Sequence, residues 1–302
     1  MRPWTQALPA FAVFGMLAVP AVAQELSPRA YWPAPRGTQL AFVGYAYAWG
    51  DVVTDAALPV VGVDSRLNAG VIGSLRTLSL WGRTSNILVE IPYSWGTTEG
   101  TVAGQPVSRD ISGLGDMSAT LSLNLLGAPS MTPVEFQEFR RNPHPILGAS
   151  LKLVAPTGEY EKDKLLNVGA NRWAVKAELG YAHPFATMWI LELELGAWYI
   201  GDNDEFLGTT REQAPIVAFE SHLIRKIKSS FWVSLDFNHY AGGRTTVGGE
   251  LRADLQRNTR LGATMFYPLT RRHFIRASYS TSVITEAGGD FDMLLLTYLL
   301  RF

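Results

Sequence analysis

Charged side chains recur at every second position in several stretches of this sequence, and this spacing is the first indication of chemistry. Lys176 and Glu178 are two residues apart, and Glu192 and Glu194 repeat the interval further along the chain. Because side chains two residues apart in a β-strand point to the same face, the pattern predicts amines and carboxylates clustered on one face of a sheet. The predicted members of this cluster, which would line a pore, are Glu90, Lys152, Lys176, Glu178, Glu192, Glu194, Glu220, Asp236 and Arg260.

The strand register decides how these charges meet. A hairpin that turns near Pro184 would place Lys176 opposite Glu194. Extended to the neighbouring strands, the same register puts Lys152 beside Lys176 and Glu220 beside Glu194. Like charges directly opposite each other are unfavourable, so such a cluster needs water or diagonal ion pairs. Two interpretations stay open: a constriction that sorts small solutes by charge and size, or an ion-pair network that only braces the structure.

Catalytic and metal-binding chemistry find weaker support. A hydrolase needs a nucleophile, a histidine base and a third orienting group, but Asp236 and His239 would point to opposite faces of one strand. The acidic stretch of Asp202, Asp204 and Glu205 offers oxygen ligands but lacks the glycine and terminal glutamate of a dedicated calcium loop. The chain has no cysteine, which excludes disulfides and thiol chemistry. We therefore predict no catalytic residue, no metal site and no cofactor.

The elements that would position these charges are short segments in which apolar and polar residues alternate. Ile87, Val89 and Ile91 share one face, for example, while Glu90 lies on the other. Outside the amino-terminal stretch, no segment approaches the roughly 20 apolar residues that a membrane-spanning helix needs. The candidate strands lie at 39–49, 66–76, 85–95, 113–126, 146–156, 173–183, 189–200, 213–226, 231–240, 258–267, 273–283 and 290–302.

Two further features favour a membrane barrel over a soluble β-sandwich. Aromatic residues on the apolar face, such as Tyr93, Trp95 and Trp189, gather near the segment ends, as interfacial girdles do. Long polar connections alternate with tight turns, as they do in outer-membrane barrels. We predict an all-β fold, a transmembrane antiparallel β-barrel of about 12 strands, whose even count leaves both termini in the periplasm.

The beginning of the sequence indicates export. Residues 1–23 have the pattern of a signal peptide, with Arg2 ahead of an apolar run and an Ala-x-Ala cleavage motif that ends at Ala23. Residues 24–302 would then form the outer-membrane barrel. The last strand ends on an alternating apolar face, which resembles the signal recognised by the outer-membrane assembly machinery. The residues of this predicted assembly signal are Tyr298, Leu300 and Phe302.

One connection on the predicted periplasmic side, 127–145, is longer than a tight turn. Thr132 followed by Pro133 is typical of a capped helix start with proline in the first turn, so we expect a short helix there. An inward-folded plug is the alternative for this excursion. We expect no plug-and-carrier mechanism, because the mature stretch before Gln39 is short.

Several motifs follow one another in the second and larger part of the chain. They are Gly115-Asp116 and the stretches 156–160, 165–173, 202–206, 210–213, 242–246, 257–262 and 288–292. In this order the motifs resemble the outer-membrane transporter family named for the meta-pathway of phenol degradation. The resemblance implies a barrel in the outer membrane, and the family name implies aromatic substrates.

The sequence therefore favours a passive outer-membrane channel or transporter for small molecules, hydrophobic or aromatic ones included. Lys and Arg total 26 against 27 for Asp and Glu, so no basic field exists to recruit nucleic acid. The expected partners are outer-membrane lipid, the assembly machinery and a small-molecule solute, in a Gram-negative bacterium. Two alternatives stay open: a structural or surface-binding barrel with a blocked lumen, acting through loops such as 159–171 and 241–257, and, less favoured, an outer-membrane hydrolase.

Overall fold

The chain forms antiparallel strands and one short helix in the part that the structure describes. A computed structural model describes residues 27–52, 60–102, 104–164, 166–228 and 230–302. The predicted signal peptide, 1–23, lies outside the described residues. Among the described residues, none of the helical structure has both the length and the apolar character of a membrane span.

The strands alternate along the chain with turns and loops. In chain order they are β1 (Gln39–Asp51), β2 (Val60–Leu80), β3 (Arg83–Val102), β4 (Gln105–Leu114), β5 (Ser118–Leu126), β6 (Ile146–Val154), β7 (Ala174–Phe185), β8 (Trp189–Ile200), β9 (Asn203–Phe206), β10 (Thr209–Gln213), β11 (Ile216–Lys226), β12 (Trp232–Gly242), β13 (Thr245–Val247), β14 (Glu250–Leu251), β15 (Gln256–Pro268), β16 (His273–Ile284) and β17 (Asp290–Arg301). Each of the twelve predicted strands has a counterpart in this series.

Thirteen of these strands form one closed sheet. They occupy twelve positions around the barrel, because β4 and β5 both pair with β3. The first and last strands close the barrel, with Leu40 opposite Arg301 and Asp51 opposite Asp290. This pairing satisfies the backbone groups at both edges of the sheet, as a membrane requires. The predicted antiparallel barrel of about 12 strands is confirmed.

Two details at one end of the barrel differ from the sequence-based prediction. The stretch after Trp95 is predicted as a long loop, but β3 and β4 continue as a paired hairpin as far as Val102 and Gln105. The acidic and glycine-rich connections contain β9, β10, β13 and β14, which form a separate small sheet. Strands this short carry too little alternation to be recognised in a sequence.

The excursion at 127–145 contains the predicted helix, α1 (Pro133–Arg141). Thr132 caps it: its side chain accepts a hydrogen bond from the backbone N–H of Glu135, whose carboxylate accepts one from the backbone N–H of Thr132 at 2.7 Å. This reciprocal pair satisfies two donors that a helix start otherwise leaves open. Phe136 and Phe139 of the helix are buried.

The barrel wall is apolar outside and polar inside. Leu235 is 67% exposed, whereas its neighbour Asp236 is 3% exposed. The same inversion holds on β8, where Leu195 is 57% and Glu194 3% exposed. A water-soluble protein has the opposite arrangement, since a continuous apolar surface of this extent has to be covered. The outer surface therefore suits lipid.

The two ends of the barrel are built differently. Tight connections lie at the end that we call the turn end: 81–82, 186–188, 227–231 and 269–272. The opposite end, called the loop end, carries 155–173, 243–255 and the small sheet. At the turn end, inward-pointing apolar side chains from around the wall form what we call the apolar ring. It comprises Leu40, Leu75, Leu88, Ile146, Ala182, Ile190, Ile224, Trp232, Phe266, Phe274 and Leu299.

Residues 27–37, here called the amino-terminal segment, lie against the apolar ring. Ala30, Tyr31, Trp32 and Ala34 are buried in the same cluster as the ring, and so are Phe136 and Phe139 of α1. The short stretch ahead of β1, whose length led us to expect no plug-and-carrier mechanism, is thus long enough to fill the turn end. Leu40 and Phe42 of β1 pack in this cluster, so the inner face of β1 is apolar at the turn end.

Candidate functional site

The predicted pore-lining residues all lie inside the barrel. Their exposed fractions range from 1% for Glu220 and Arg260 to 6% for Glu178. Eight of them, together with His222, occupy the middle of the lumen and form what we call the charged belt. Its members are Glu90, Lys152, Lys176, Glu178, Glu192, Glu194, Glu220, His222 and Asp236. Their assignment as pore-lining residues remains a prediction.

Arg260, the ninth predicted residue, lies apart from this belt. Its guanidinium group donates to the carbonyl oxygen of Phe291 at 3.0 Å and to the hydroxyl of Ser280 at 2.9 Å. The same group lies 4.0 Å from the centre of the Phe291 ring. Arg260 therefore ties β15 to β16 and β17 near the loop end.

The observed register corrects one predicted pairing and confirms two. Lys176 lies opposite Trp198, and Glu194 lies opposite Gly180. The hairpin turns at 186–188 rather than near Pro184, because β7 continues through the proline to Phe185. This displaces the partner of each residue by four positions. The neighbouring pairings, Lys152 with Lys176 and Glu220 with Glu194, are confirmed.

Diagonal ion pairs relieve the like-charge contacts. Lys176 Nζ lies 2.9 Å from Glu220 Oε1 and 2.5 Å from Glu178 Oε2. Lys152 Nζ lies 3.5 Å from Glu90 Oε2. Each lysine therefore pairs with a carboxylate two strands away, and Lys176 pairs also with Glu178 on its own strand, so the two lysines do not face each other unpaired. Such pairs offset the desolvation that burial imposes on both partners.

A histidine–aspartate pair, which the sequence analysis misses, lies in the same belt. His222 Nδ1 is 2.8 Å from Asp236 Oδ1, and both side chains are buried. Asp236 also accepts a hydrogen bond from the Thr264 hydroxyl at 2.7 Å. The pair forms between adjacent strands, since β11 places His222 directly opposite Asp236. Extending the hairpin register by one more strand would have found it, because the tight turn at 227–231 fixes that register.

The amino-terminal segment reaches from the apolar ring into the belt. The Tyr31 hydroxyl lies 2.9 Å from Glu178 Oε1, and the backbone N–H of Arg29 donates to Glu192 Oε2. The ring of Tyr31 lies flat against the wall at Gly148 and Gly180, where an added Cβ would come within 2.1 and 2.0 Å of it. Only glycine leaves room for this contact, so the segment is held by a fitted aromatic ring as well as by carboxylates.

Cation–π contacts add to this grip on the apolar side. The guanidinium carbon of Arg29 lies 4.8 Å from the ring centre of Trp32 and 5.5 Å from that of Trp232. Trp232 in turn stacks on Phe266, with ring centres 5.6 Å apart. The turn end is thus closed by aromatic and aliphatic packing around the buried guanidinium group of Arg29.

The connection at 155–173 folds back at the loop end. Asp116 accepts hydrogen bonds from the backbone N–H groups of Gly158 and Ala170, each at 2.8 Å. The acidic residues Asp202, Asp204 and Glu205, which could have held a cation, remain exposed on the small sheet. The loop end is therefore organised in part by hydrogen bonds to the buried carboxylate of Asp116, and not by the exposed acidic residues of the small sheet.

A closed antiparallel barrel with a lipid-facing apolar wall and an ionisable interior defines an outer-membrane β-barrel protein. The model of the family described as the MetA-pathway of phenol degradation matches residues 38–290, and the chain belongs to this family. The match includes the barrel from β1 to the start of β17, and so contains the whole charged belt.

Solved structures share the fold. An outer membrane channel from Pseudomonas putida F1 is 23% identical, with 90% of this chain and 98% of that chain covered and a TM-score of 0.73. The β domain of the Bordetella autotransporter BrkA is 13% identical, with 88% and 100% covered and a TM-score of 0.51. At these identities the similarity concerns the fold alone. Among curated proteins, none matches the sequence.

Proposed function

We propose that this protein is a passive outer-membrane channel for small molecules, which the amino-terminal segment closes at the turn end. The observation that carries the proposal is the charged belt, since a barrel that needed only stability could fill its lumen with apolar packing. Ionisable groups inside a membrane protein are costly and generally mark a solute or ion pathway. Among the described residues the amino-terminal segment forms no strand of the barrel sheet, and its backbone bond to the wall is made at its end, where the Gly37 N–H donates to the Thr77 carbonyl oxygen at 2.9 Å. The segment can therefore leave without breaking the closed sheet.

We assign small aromatic or hydrophobic molecules as the solutes. The family description, phenol degradation, supports this class. Trp232, Phe266 and Phe274 would line the turn end once the segment had left, and offer aromatic faces to such a solute. In this proposal the loop end faces outward and both termini face the periplasm. The exposed side chains of Tyr298 and Phe302 remain available to the assembly machinery.

Planar-bilayer recordings test the channel. We compare the full chain with a variant that lacks 27–37, and with a control of equal deletion length, 244–254, at the loop end. Loss of the segment should raise conductance several-fold and speed phenol entry into proteoliposomes, whereas the control should resemble the full chain. The double variant Glu192→Gln, Glu194→Gln should lower cation preference in the 27–37 deletion, because two fixed negative charges leave the lumen.

A second candidate is a structural or surface-binding barrel with a blocked lumen. The low exposure of every predicted pore residue favours it over an open pore at rest. Background conductance in all three proteins of the comparison would select this candidate and reject the channel. We propose no enzymatic role. In the described residues no hydroxyl lies within hydrogen-bonding distance of His222 Nε2, so the His222–Asp236 pair has no nucleophile to activate.

A further inference from the structure

Three buried side chains on neighbouring strands converge within the charged belt. Glu194 on β8 lies opposite Glu220 on β11, and His222 follows two positions later on the same face of β11. One ligand atom from each of the three lies within 4.8 Å of the others. Tetrahedral coordination with zinc bonds of about 2.0–2.2 Å separates two ligand atoms of one ion by roughly 3.3–3.6 Å. Side-chain movements of up to roughly 1.5 Å would therefore close the three side chains around an ion.

The histidine is oriented as a metal ligand would be. Because Nδ1 of His222 donates to the Asp236 carboxylate, Nε2 is the ring nitrogen that remains to bind an ion. A carboxylate behind a histidine is the usual support of a metal ligand, since it fixes the tautomer and the ring orientation. Thr264 in turn fixes Asp236 through a 2.7 Å hydrogen bond.

Two polar atoms of this cluster lack a partner among the described residues. They are Glu194 Oε1 and His222 Nε2, on side chains that are 3% and 0% exposed. A buried polar atom without a partner costs about 1–3 kcal/mol, and more where the group is charged. The nearest ammonium group, on Lys176, already binds Glu178 and Glu220. A divalent ion bound between Glu194 Oε1 and His222 Nε2 would give each of these two atoms a partner.

We propose that Glu194, Glu220 and His222 form a binding site for a divalent transition-metal ion of the zinc class inside the barrel, with Asp236 as the positioning residue. One imidazole nitrogen and two carboxylates suit zinc better than calcium or magnesium, which take all-oxygen sites. Three protein ligands leave a coordination position for water or a solute. The proposal holds whether or not the barrel conducts.

Binding of zinc itself tests the site. The full chain, purified in detergent and stripped with a chelator, is titrated with zinc chloride by calorimetry, and bound zinc is counted by elemental analysis after desalting. We expect one tightly held zinc ion per chain. X-ray absorption at the zinc edge should fit a single imidazole nitrogen among oxygen ligands, and a shell of oxygen alone would overturn the assignment.

Variants distinguish this site from surface binding. Glu194→Gln keeps the side-chain shape and should abolish retained zinc, as should His222→Gln. The matched control is Glu90→Gln, a buried belt carboxylate outside the cluster, which should bind as the full chain does. Asp236→Asn should weaken binding about 10–100-fold without removing it.

Folding is checked by the heat-dependent mobility of the barrel on gels, and if His222→Gln does not fold, the isosteric Glu194→Gln decides. Equal zinc retention in Glu194→Gln and the full chain, or no retention by the full chain, would reject the site. If the full chain retains no zinc, the buried carboxylates are neutralised by bound protons and not by a metal ion. A silent bilayer recording would reject the channel and leave this result untouched.

Discussion

The apolar ring and the charged belt hold the same amino-terminal segment by different physics. At the ring, Trp32 and Ala34 are buried among aliphatic and aromatic side chains, and the contact depends on fit. At the belt, Tyr31 and the backbone of Arg29 meet single carboxylate oxygens, and the contact depends on direction and charge. We therefore expect the ring to provide most of the stability of this contact and the belt to set the position of the segment.

The largest expected effect comes from removing the main side chain of the ring. Trp232→Ala deletes a side chain that is 1% exposed and stacks on Phe266. Truncation of a buried tryptophan typically costs about 3–5 kcal/mol, through lost burial and the cavity left behind. We expect a loss of this size in the free energy of unfolding, measured by guanidinium titration of the barrel refolded in lipid vesicles. Trp81→Ala is the control, since Trp81 is 85% exposed in a turn, and equal losses in both variants would show that the ring does not carry the stability.

A smaller effect is expected where the segment meets the wall. Gly180→Ala places a methyl group 2.0 Å from Tyr31 Cε2, so the aromatic ring must move. Overpacking of this kind costs about 1–3 kcal/mol, which favours release of the segment roughly 5- to 150-fold. The chain has no cysteine, so Ala30→Cys, buried at a position 2% exposed, gives a unique probe. Its reaction rate with a membrane-impermeant maleimide should rise by that factor.

The matched control for this change is Gly70→Ala in the same Ala30→Cys background. A methyl group at Gly70 meets only the Trp95 ring at 3.9 Å, an ordinary contact. Labelling there should proceed at the parent rate. If Gly70→Ala and Gly180→Ala labelled alike, the fit of Tyr31 against the wall would have no part in holding the segment.

The fold follows from local pattern to a large extent. Alternation identifies the strands, because one face of each meets lipid while the other is enclosed, as Leu235 and Asp236 illustrate. The helix at 127–145 follows from Thr132 and Pro133 alone, whose capping chemistry is local. The closure of the turn end could not be predicted in this way. The amino-terminal segment has no periodic pattern, and its fit depends on Gly148 and Gly180 far along the chain.

In the candidate site, too, the sequence predicts which residues of a strand point inward but not which residues of other strands they meet. The alternating charges place Glu192 and Glu194 inside, but a single misplaced turn at Pro184 shifts every partner across β7 and β8. His222 is overlooked because its partner, Asp236, lies on the next strand and not nearby in the sequence. Register, which sequence patterns constrain only through the turns, decides which charges meet.

The smallest expected effect concerns the cap of α1, which brings Phe139 against Trp32 with ring centres 5.6 Å apart. Thr132→Ala removes a capping hydroxyl and should lower the free energy of unfolding by about 1 kcal/mol. Hydrogen bonds from Thr132 lower the pKa of Glu135, so the cap's contribution is present at neutral pH. It is lost as the pH falls through that lowered value.

The difference between the full chain and Thr132→Ala in guanidinium titrations should therefore shrink on acidification below the ordinary range of glutamate. Val134→Ala, at an exposed position of the same helix, should leave both the stability and its pH dependence unchanged. A difference that stayed constant with pH would assign the stability loss to the hydroxyl alone, without the carboxylate. The packing of α1 at the turn end would then receive no contribution from the ionised carboxylate of Glu135.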